Sequence, residues 1–221
     1  MKERYFTKSN IDEIAGELAV EVSEKTGRKR DFPRRDNKYA LLVLDMQDYF
    51  LRENSNAFVP SAPAVIPKVN SLIELFEEKK LPVFFTRHVN TPDNAAMMGQ
   101  WWSRLIEADG ELSEISGLLN IPAGSEIIKK TQYDAFHNTA LDDKLKAENI
   151  NTLVISGVMT NLCVETTIRS AFVHGYETVL PLDATAAYNY DFHRATALNL
   201  AFGFSHIALT ADIIREIGEN D

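Results

Sequence analysis

From residue 38 onward the chain alternates between short apolar runs and longer amphipathic stretches. The apolar runs predict six β-strands, at Tyr39–Leu44, Pro82–Phe85, Glu126–Ile128, Thr152–Ser156, Glu177–Leu180 and His206–Leu209. The stretches between them have apolar residues at helical spacing and predict five helices, at Ala64–Lys80, Asn138–Asn149, Asn161–Gly175, Phe192–Gly203 and Ala211–Ile217. Near-continuous apolar strands separated by helices are typical of parallel sheets covered on both faces. The pattern therefore predicts an α/β fold, a Rossmann-like three-layer α/β/α arrangement around a roughly six-stranded parallel sheet.

The first 37 residues follow a different pattern. Ile11, Ile14, Leu18 and Val22 recur at helical spacing, and Gly27 ends this stretch. We therefore divide the chain into a helical N-terminal arm, residues 1–37, and one α/β domain, residues 38–221. Basic residues crowd positions 28–35, which form either a solvated connector or a contact for nucleic acid or an acidic partner. The acidity of the remaining chain favours the connector.

Composition and charge narrow the class of protein. With 45% hydrophobic and 25% charged residues among 221, the chain has the composition of a globular protein with a packed core. Its 23 basic and 32 acidic residues give a net charge of −9, which argues against general binding to nucleic acid. The apolar runs are too short to span a membrane, and the first residues do not resemble a secretory signal. We expect a cytoplasmic protein that binds a small molecule, and neither nucleic acid nor a membrane.

The sequence contains one cysteine, Cys163, which excludes an internal disulfide and favours a reducing compartment. A free cysteine is commonly just a small, buried apolar side chain. Cys163, however, follows the fourth predicted strand in what we expect to be the first turn of a helix, with Thr160 or Asn161 as the cap. The positive end of a helix lowers the pKa of a thiol. Cys163 is therefore either a buried side chain of the hydrophobic core or a nucleophile.

Two further side chains follow predicted strands, and ligands of a parallel sheet bind beyond the carboxyl ends of its strands. Asp45 comes directly after the first strand and is either a helix cap or a base for Cys163. Lys129 and Lys130 follow the third strand, where alternation places Lys130 on the same side as Ile128. A lysine desolvated beside Asp45 would keep that carboxylate ionised. We expect an acid, a lysine and a thiol on three neighbouring strand ends.

Three segments carry a resemblance to a known family. Leu44–Phe50, Lys130–Phe136 and Gly157–Thr167 resemble, in this order, the first-strand, lysine and nucleophile-turn motifs of the isochorismatase-like hydrolase superfamily. The resemblance extends over about residues 38–210 and implies the fold of that family. It also implies a catalytic triad, a cis peptide, two oxyanion-hole amides and a homodimer or homotetramer. By position, the triad would be Asp45, Lys130 and Cys163, the cis peptide Val158–Met159, and the amides those of Met159 and Cys163.

Members of this superfamily differ in their chemistry. Isochorismatases proper cleave a vinyl ether by acid catalysis and lack the nucleophilic cysteine that this chain has. Nicotinamidases carry an Asp-x-His metal site after the second strand, which Arg87-His88-Val89-Asn90 does not reproduce. The resemblance therefore favours a cysteine hydrolase without a metal or other cofactor, similar to N-carbamoylsarcosine amidase. Such an enzyme cleaves an amide or ureido C–N bond of a small molecule.

Two alternatives to this hypothesis are open. In the first, Asp45 is the acid of an isochorismatase-type vinyl-ether hydrolase. In the second, the chain is a non-enzymatic scaffold that binds a partner through residues 28–35. The cysteine-hydrolase hypothesis itself requires Asp45 to deprotonate Cys163, attack by the thiolate on a carbonyl, and hydrolysis of the resulting thioester.

The substrate pocket is expected to be apolar and partly planar, with a mobile cover in residues 87–125. A substrate carboxylate would be bound by Arg87 or Arg104. His88 is either a substrate contact or a metal ligand. The candidate substrate-binding residues are Phe50, Arg87, His88, Trp101, Trp102, Tyr133 and Phe136.

Overall fold

A parallel β-sheet lies at the centre of the computed structural model, which describes residues 1–27, 32–33 and 37–218. Its strands are β1 (Tyr39–Leu44), β2 (Val83–His88), β3 (Glu126–Lys130), β4 (Thr152–Val158), β5 (Glu177–Pro181), β6 (Thr185–Ala186) and β7 (His206–Ala208). They lie in the order β3-β2-β1-β4-β5-β7, and the two-residue β6 pairs with the end of β4. Each of these pairs is parallel. The predicted α/β class and parallel sheet are confirmed.

Helices connect and flank these strands. They are α1 (Ile11–Thr26), α2 (Asp48–Leu51), α3 (Ala62–Glu78), α4 (Met98–Trp101), α5 (Leu141–Ala147), α6 (Glu165–Val173), α7 (Tyr190–Gly203) and α8 (Thr210–Gly218). The helix predicted over residues 138–149 is shorter, because Asn138 and Asn149 have φ angles of 54° and 56°, which a right-handed helix does not contain. The start of the helix predicted at 161–175 is a π-helical turn, Thr160–Val164. Within the described residues, no helix combines the length and apolar character needed to cross a membrane.

The N-terminal arm packs on its own chain. The predicted helix is α1, and it buries Ile11, Leu18 and Val22 in the same hydrophobic core as the strands. Before α1, the backbone amides of Tyr5 and Phe6 donate to Ser61 Oγ over 3.0 and 3.1 Å. The basic stretch 28–35 lies outside the described residues except for residues 32–33, so its role as a connector or contact stays a prediction.

The close approach of β1 to β4 depends on a glycine. Leu44, the last residue of β1, pairs with Gly157 of β4. Gly157 has a φ of 104°, and a Cβ atom at this position would lie 2.1 Å from the carbonyl oxygen of Leu44. Backbone atoms cannot move aside as a side chain can, so only glycine fits. This contact brings the residues that follow the two strands to the same point.

Replacing Gly157 by alanine therefore tests the close approach of β1 and β4. We expect Gly157→Ala to lower the free energy of unfolding by about 3 kcal/mol or more, because it adds both backbone strain and a steric clash. Urea denaturation measures the loss. Gly175→Ala is the matched control: its φ is 92°, but no atom lies within 4 Å of the added Cβ, so about 1 kcal/mol is expected from strain alone. Equal losses in the two variants would contradict this role of the β1–β4 contact.

Candidate active site

Asp45, Lys130 and Cys163 meet at the carboxyl edge of the sheet. Lys130 Nζ lies 2.7 Å from Asp45 Oδ2 and 3.4 Å from Cys163 Sγ, to which it donates. The relative exposures of the three residues are 0% for Asp45, 1% for Lys130 and 6% for Cys163. Lys130 Nζ also donates to the carbonyl oxygen of Gln132 over 2.9 Å. The structure thus brings together the acid, the lysine and the thiol that the sequence singled out.

The strand order differs from the expectation that the three residues follow neighbouring strands. Asp45 follows β1 and Cys163 follows the adjacent β4, where the order of strands reverses. Lys130 ends β3, and β2 lies between β3 and β1, so the three strand ends are not all neighbours. The length of the lysine side chain bridges this gap. The alternation prediction is confirmed, because Lys130 and Ile128 are buried whereas Lys129 is exposed.

Thr86, on the intervening strand β2, orients the carboxylate of Asp45. Its hydroxyl accepts a hydrogen bond from the Asp45 amide over 3.1 Å and donates one to Asp45 Oδ1 over 2.6 Å. The second oxygen, Oδ2, is thereby directed to Lys130. Sequence reasoning did not select Thr86. The available signal was a polar residue at the end of the apolar run Val83–Phe85, in line with the strand ends on either side.

A buried glutamine connects the ends of β1 and β2. The Gln47 side chain accepts from the His88 amide over 2.8 Å and donates to the His88 carbonyl oxygen over 3.0 Å. It also donates to the carbonyl oxygen of Ser113 over 2.6 Å. These bonds hold the His88 backbone, while Asn90 Oδ1 lies 2.7 Å from His88 Nε2. Gln47 and Asn90 are therefore positioning residues that the sequence analysis did not identify.

The charges of the site are set by burial and by the Asp45–Lys130 pair. Burial alone would raise the pKa of Asp45, but the Lys130 ammonium, with smaller contributions from His88 and the Cys163 thiol, holds that pKa below its ordinary value. Burial alone would lower the pKa of Lys130, yet Asp45 and Cys163 raise it above its ordinary value. Burial and the Lys130 ammonium lower the pKa of His88 to about 4. At neutral pH the site holds a carboxylate, an ammonium and an uncharged imidazole.

The thiol of Cys163 corrects an expectation. The position near a helix start predicted a lowered thiol pKa, but burial and the adjacent Asp45 carboxylate raise the pKa of Cys163, despite Lys130. Thr160 and Asn161, the predicted caps, do not cap this turn with their side chains. Thr160 Oγ1 instead lies 3.0 Å from His193 Nδ1 on α7. In the resting site Cys163 is therefore a thiol beside an ionised acid.

The turn that carries Cys163 begins at an unusual peptide bond. The peptide between Val158 and Met159 is cis, as the resemblance implied. The carbonyl oxygen of Met159 accepts from the amides of Leu162 and Val164 over 3.1 and 3.2 Å. These two bonds close the π-helical turn and place Cys163 between their donors.

A metal ion does not fit the donors around His88. Its Nε2 contacts Asn90, and its Nδ1 lies 3.5 Å from the Lys130 ammonium, which would repel a cation. Metal sites need several imidazole, thiolate or carboxylate ligands. Within the described part of the chain, no group of three or more His, Cys, Asp or Glu side chains is arranged to hold a metal ion.

Cys163 opens into a cavity of about 280 Å³. Of the predicted substrate-binding residues, four line it, namely Phe50, His88, Trp102 and Tyr133. Trp102 Nε1 donates to the hydroxyl of Tyr133 over 2.8 Å. Further lining residues include Lys2, Tyr49, Asn56, Met98, Arg104, Met159, Leu162 and Tyr188. The walls are mainly aromatic and aliphatic, as expected, and the volume suits a small molecule.

Three predicted substrate-binding residues lie outside this cavity. Arg87 is buried and bound to Ser113 and Glu114, so it holds the 108–114 loop in place and does not face a ligand. Phe136 is buried and stacks on His174 at 4.8 Å between ring centres. Trp101 is 74% exposed. Neighbouring protein or solvent surrounds each of these side chains, so none of the three contributes to the cavity wall.

Comparison with known proteins gives the family. The isochorismatase domain family matches residues 39–212. Nicotinamidase 3 of Arabidopsis thaliana is 35% identical over 195 residues, covering 84% of this chain and 93% of that protein. N-carbamoylsarcosine amidase of an Arthrobacter species is 27% identical over 176 residues, covering 75% of this chain and 67% of that protein. The crystal structure of a cysteine hydrolase from Pseudomonas syringae pv. phaseolicola 1448A has a TM-score of 0.78 at 25% identity, covering 85% and 96%. The chain belongs to the isochorismatase family of hydrolases and has its fold.

Two buried histidines predict how stability depends on pH. Burial lowers the pKa of His193 to about 3 and that of His88 to about 4, from an ordinary 6.5. Because the unfolded chain binds these protons more readily, stability is fully present above pH 6.5 and falls as the pH falls towards 4. We expect the free energy of unfolding to drop by about 1.5 kcal/mol per histidine between pH 6.5 and 5.0.

Urea denaturation at each pH measures this slope. His193→Gln should remove about half of the pH-dependent loss in this range, whatever its effect on absolute stability. His137→Gln, at an exposed position, should keep the wild-type slope. An unchanged slope in His193→Gln would show that His193 is not buried in its uncharged form.

Proposed function

We propose that the protein is a cysteine hydrolase that cleaves the C–N bond of an amide or ureido group in a small molecule, through a thioester. The observation that carries this proposal is the Cys163 thiol, which faces a cavity while it lies against a buried Asp45–Lys130 ion pair. A thiol, a base and a fixed cation are the groups that nucleophilic acyl transfer needs. Relatives named as a nicotinamidase and an N-carbamoylsarcosine amidase support the same bond type.

The first step is proton transfer coupled to attack. Asp45 is ionised and Cys163 is protonated at rest, so the thiol proton moves to Asp45 as the sulfur attacks the carbonyl carbon. The Lys130 ammonium, 3.4 Å from the sulfur, stabilises the negative charge during this transfer. As the C–S bond forms, that charge passes to the carbonyl oxygen. The thiolate therefore forms only as an electrophile takes up its charge.

The tetrahedral intermediate then collapses by expelling its nitrogen as the leaving group. The backbone amides of Met159 and Cys163 are the proposed donors to its oxyanion. The C–N bond breaks, and the departing nitrogen takes the proton held by Asp45. Water attacks the thioester while Asp45 accepts its proton, the C–S bond breaks, and the sulfur recovers a proton from Asp45. The carboxylate and the thiol are thereby restored.

The same electrostatics disfavour the vinyl-ether alternative. That reaction needs Asp45 as a proton donor, whereas Lys130 holds the pKa of Asp45 below its ordinary value. A carboxylate that is ionised at neutral pH is a poor general acid unless it first receives a proton. Cys163 can supply that proton, which links the function of Asp45 to the thiol.

Substitution of Cys163 tests the proposal directly. We expect Cys163→Ala to abolish the release of ammonia, measured over a panel of small amides, ureido acids and nicotinamide, because no thioester can form. Cys163→Ala should unfold cooperatively in urea, which separates a chemical defect from a folding defect. Turnover of isochorismate by Cys163→Ala, together with its loss in Asp45→Asn, would establish the vinyl-ether reaction instead.

Thr86 provides a second test, because it acts on the reaction only through Asp45. Thr86→Val keeps the side-chain volume but removes the hydroxyl that binds Oδ1. We expect kcat to fall by about tenfold to a hundredfold with little change in KM. The acid limb of the kcat/KM profile should move to higher pH, since the carboxylate loses a hydrogen bond that favours its charged form. Thr86→Ser should restore most of the activity, and failure of that rescue would reduce Thr86 to a packing role.

A further inference from the structure

The first residues of the chain reach the active-site cavity. Lys2 lines the cavity beside Asn56 and Tyr188. The segment is held in place by hydrogen bonds on both sides: the amide of Glu3 donates to the Tyr188 carbonyl oxygen over 2.7 Å, and the amide of Tyr190 donates to Glu3 Oε2 over 3.1 Å. The arm therefore forms part of the wall, and this part lies outside residues 39–212 of the family match.

Lys2 has donor capacity left for a ligand. Its Nζ donates to the carbonyl oxygen of Asn56 over 2.7 Å and lies 4.5 Å from the centre of the Tyr188 ring. An ammonium has three N–H donors, and Asn56 occupies one of them. The Tyr188 ring is attracted to the positive charge and accepts no conventional N–H···O hydrogen bond. The peptide oxygen and the ring fix the position of the ammonium without neutralising its charge.

Arg104 contributes a second positive charge to the same cavity. Arg104 is exposed and lines the wall, and it has neither a hydrogen bond nor an ion pair with any residue that the structure describes. Among the described residues that line the cavity, none is an Asp or a Glu. The cavity is thus positive, although the chain as a whole carries a net charge of −9. Charge complementarity favours an anionic ligand.

We propose that Lys2 and Arg104 form a cationic subsite that selects substrates in which the scissile amide or ureido group is accompanied by a carboxylate. This inference rests on the proposed function and names its substrate class. Arg104 offers the forked donors that bind a carboxylate bidentately, and Lys2 adds a point charge. A cavity of about 280 Å³ limits such a substrate to a small molecule, with its reactive carbonyl at Cys163 and its carboxylate at the subsite.

Alkylation of Cys163 by a matched pair of reagents tests the subsite without a known substrate. Iodoacetamide is neutral and iodoacetate is an anion of similar size, and each alkylates a thiol with loss of iodide. The measurement is the ratio of the two second-order rate constants, iodoacetate over iodoacetamide, at low ionic strength, with the site of modification identified by mass spectrometry. We expect the ratio to fall about threefold in Lys2→Gln or Arg104→Gln and about tenfold in the double variant.

Lys8→Gln is the control, because Lys8 belongs to the same arm, is exposed and does not line the cavity. It changes the net charge by the same amount as Lys2→Gln and should leave the ratio at the wild-type value. An unchanged ratio in the double variant, or an equal fall in Lys8→Gln, would overturn the subsite and leave the proposed function intact. A Cys163 that neither reagent modifies would overturn the proposed function itself.

Discussion

The site depends on a buried ion pair between Lys130 and Asp45. Removing two charges from water is unfavourable, and such a pair persists only when each partner is also hydrogen-bonded. Here Thr86 binds one oxygen of Asp45, and Lys130 binds the other, while the ammonium also reaches Gln132 and Cys163. Because Asp45 and Lys130 both stay charged, they influence the protonation states of the groups beside them. Burial together with the Lys130 ammonium keeps His88 uncharged, and burial together with the Asp45 carboxylate keeps the thiol protonated.

The sheet brings these groups together from distant parts of the sequence. Asp45 and Cys163 follow β1 and β4, which approach each other closely because Gly157 has no side chain to meet Leu44. Lys130 reaches past β2 from the edge strand β3. The intervening strand is not passive, since Thr86 on it carries the hydrogen bonds that aim Asp45. The carboxyl ends of four adjacent strands, β3, β2, β1 and β4, are therefore needed to position the three residues of the site.

The sequence predicted the strands and the groups that meet at their carboxyl ends, whereas the individual hydrogen bonds and pKa shifts between strands could not be predicted. The strands, the class of fold and the inward direction of Lys130 follow from periodicity, which is local. Thr86 shows in the sequence only as a polar residue at the end of an apolar run, and its hydrogen bonds to Asp45, which follows another strand, are not visible there. The prediction for the thiol pKa was wrong because the helix start is visible in the sequence, whereas the complete burial that, with Asp45, raises that pKa is not. Arg87 shows the same limit, since a cation that suits a substrate carboxylate suits Glu114 and Ser113 equally well.

The groups proposed to react and part of the cavity wall come from different segments of this chain. The groups proposed to make and break bonds lie at strand ends, where the register of the sheet holds them within hydrogen-bond distance. Part of the cavity wall comes instead from residues 98–106 and from Lys2 of the N-terminal arm, which lie outside the strands and their ends. A change in those walls alters which molecule fits without disturbing the ion pair. Substitutions in these segments can therefore change the substrate while keeping the proposed reaction, and the arm of this chain extends that freedom to residues outside the family match.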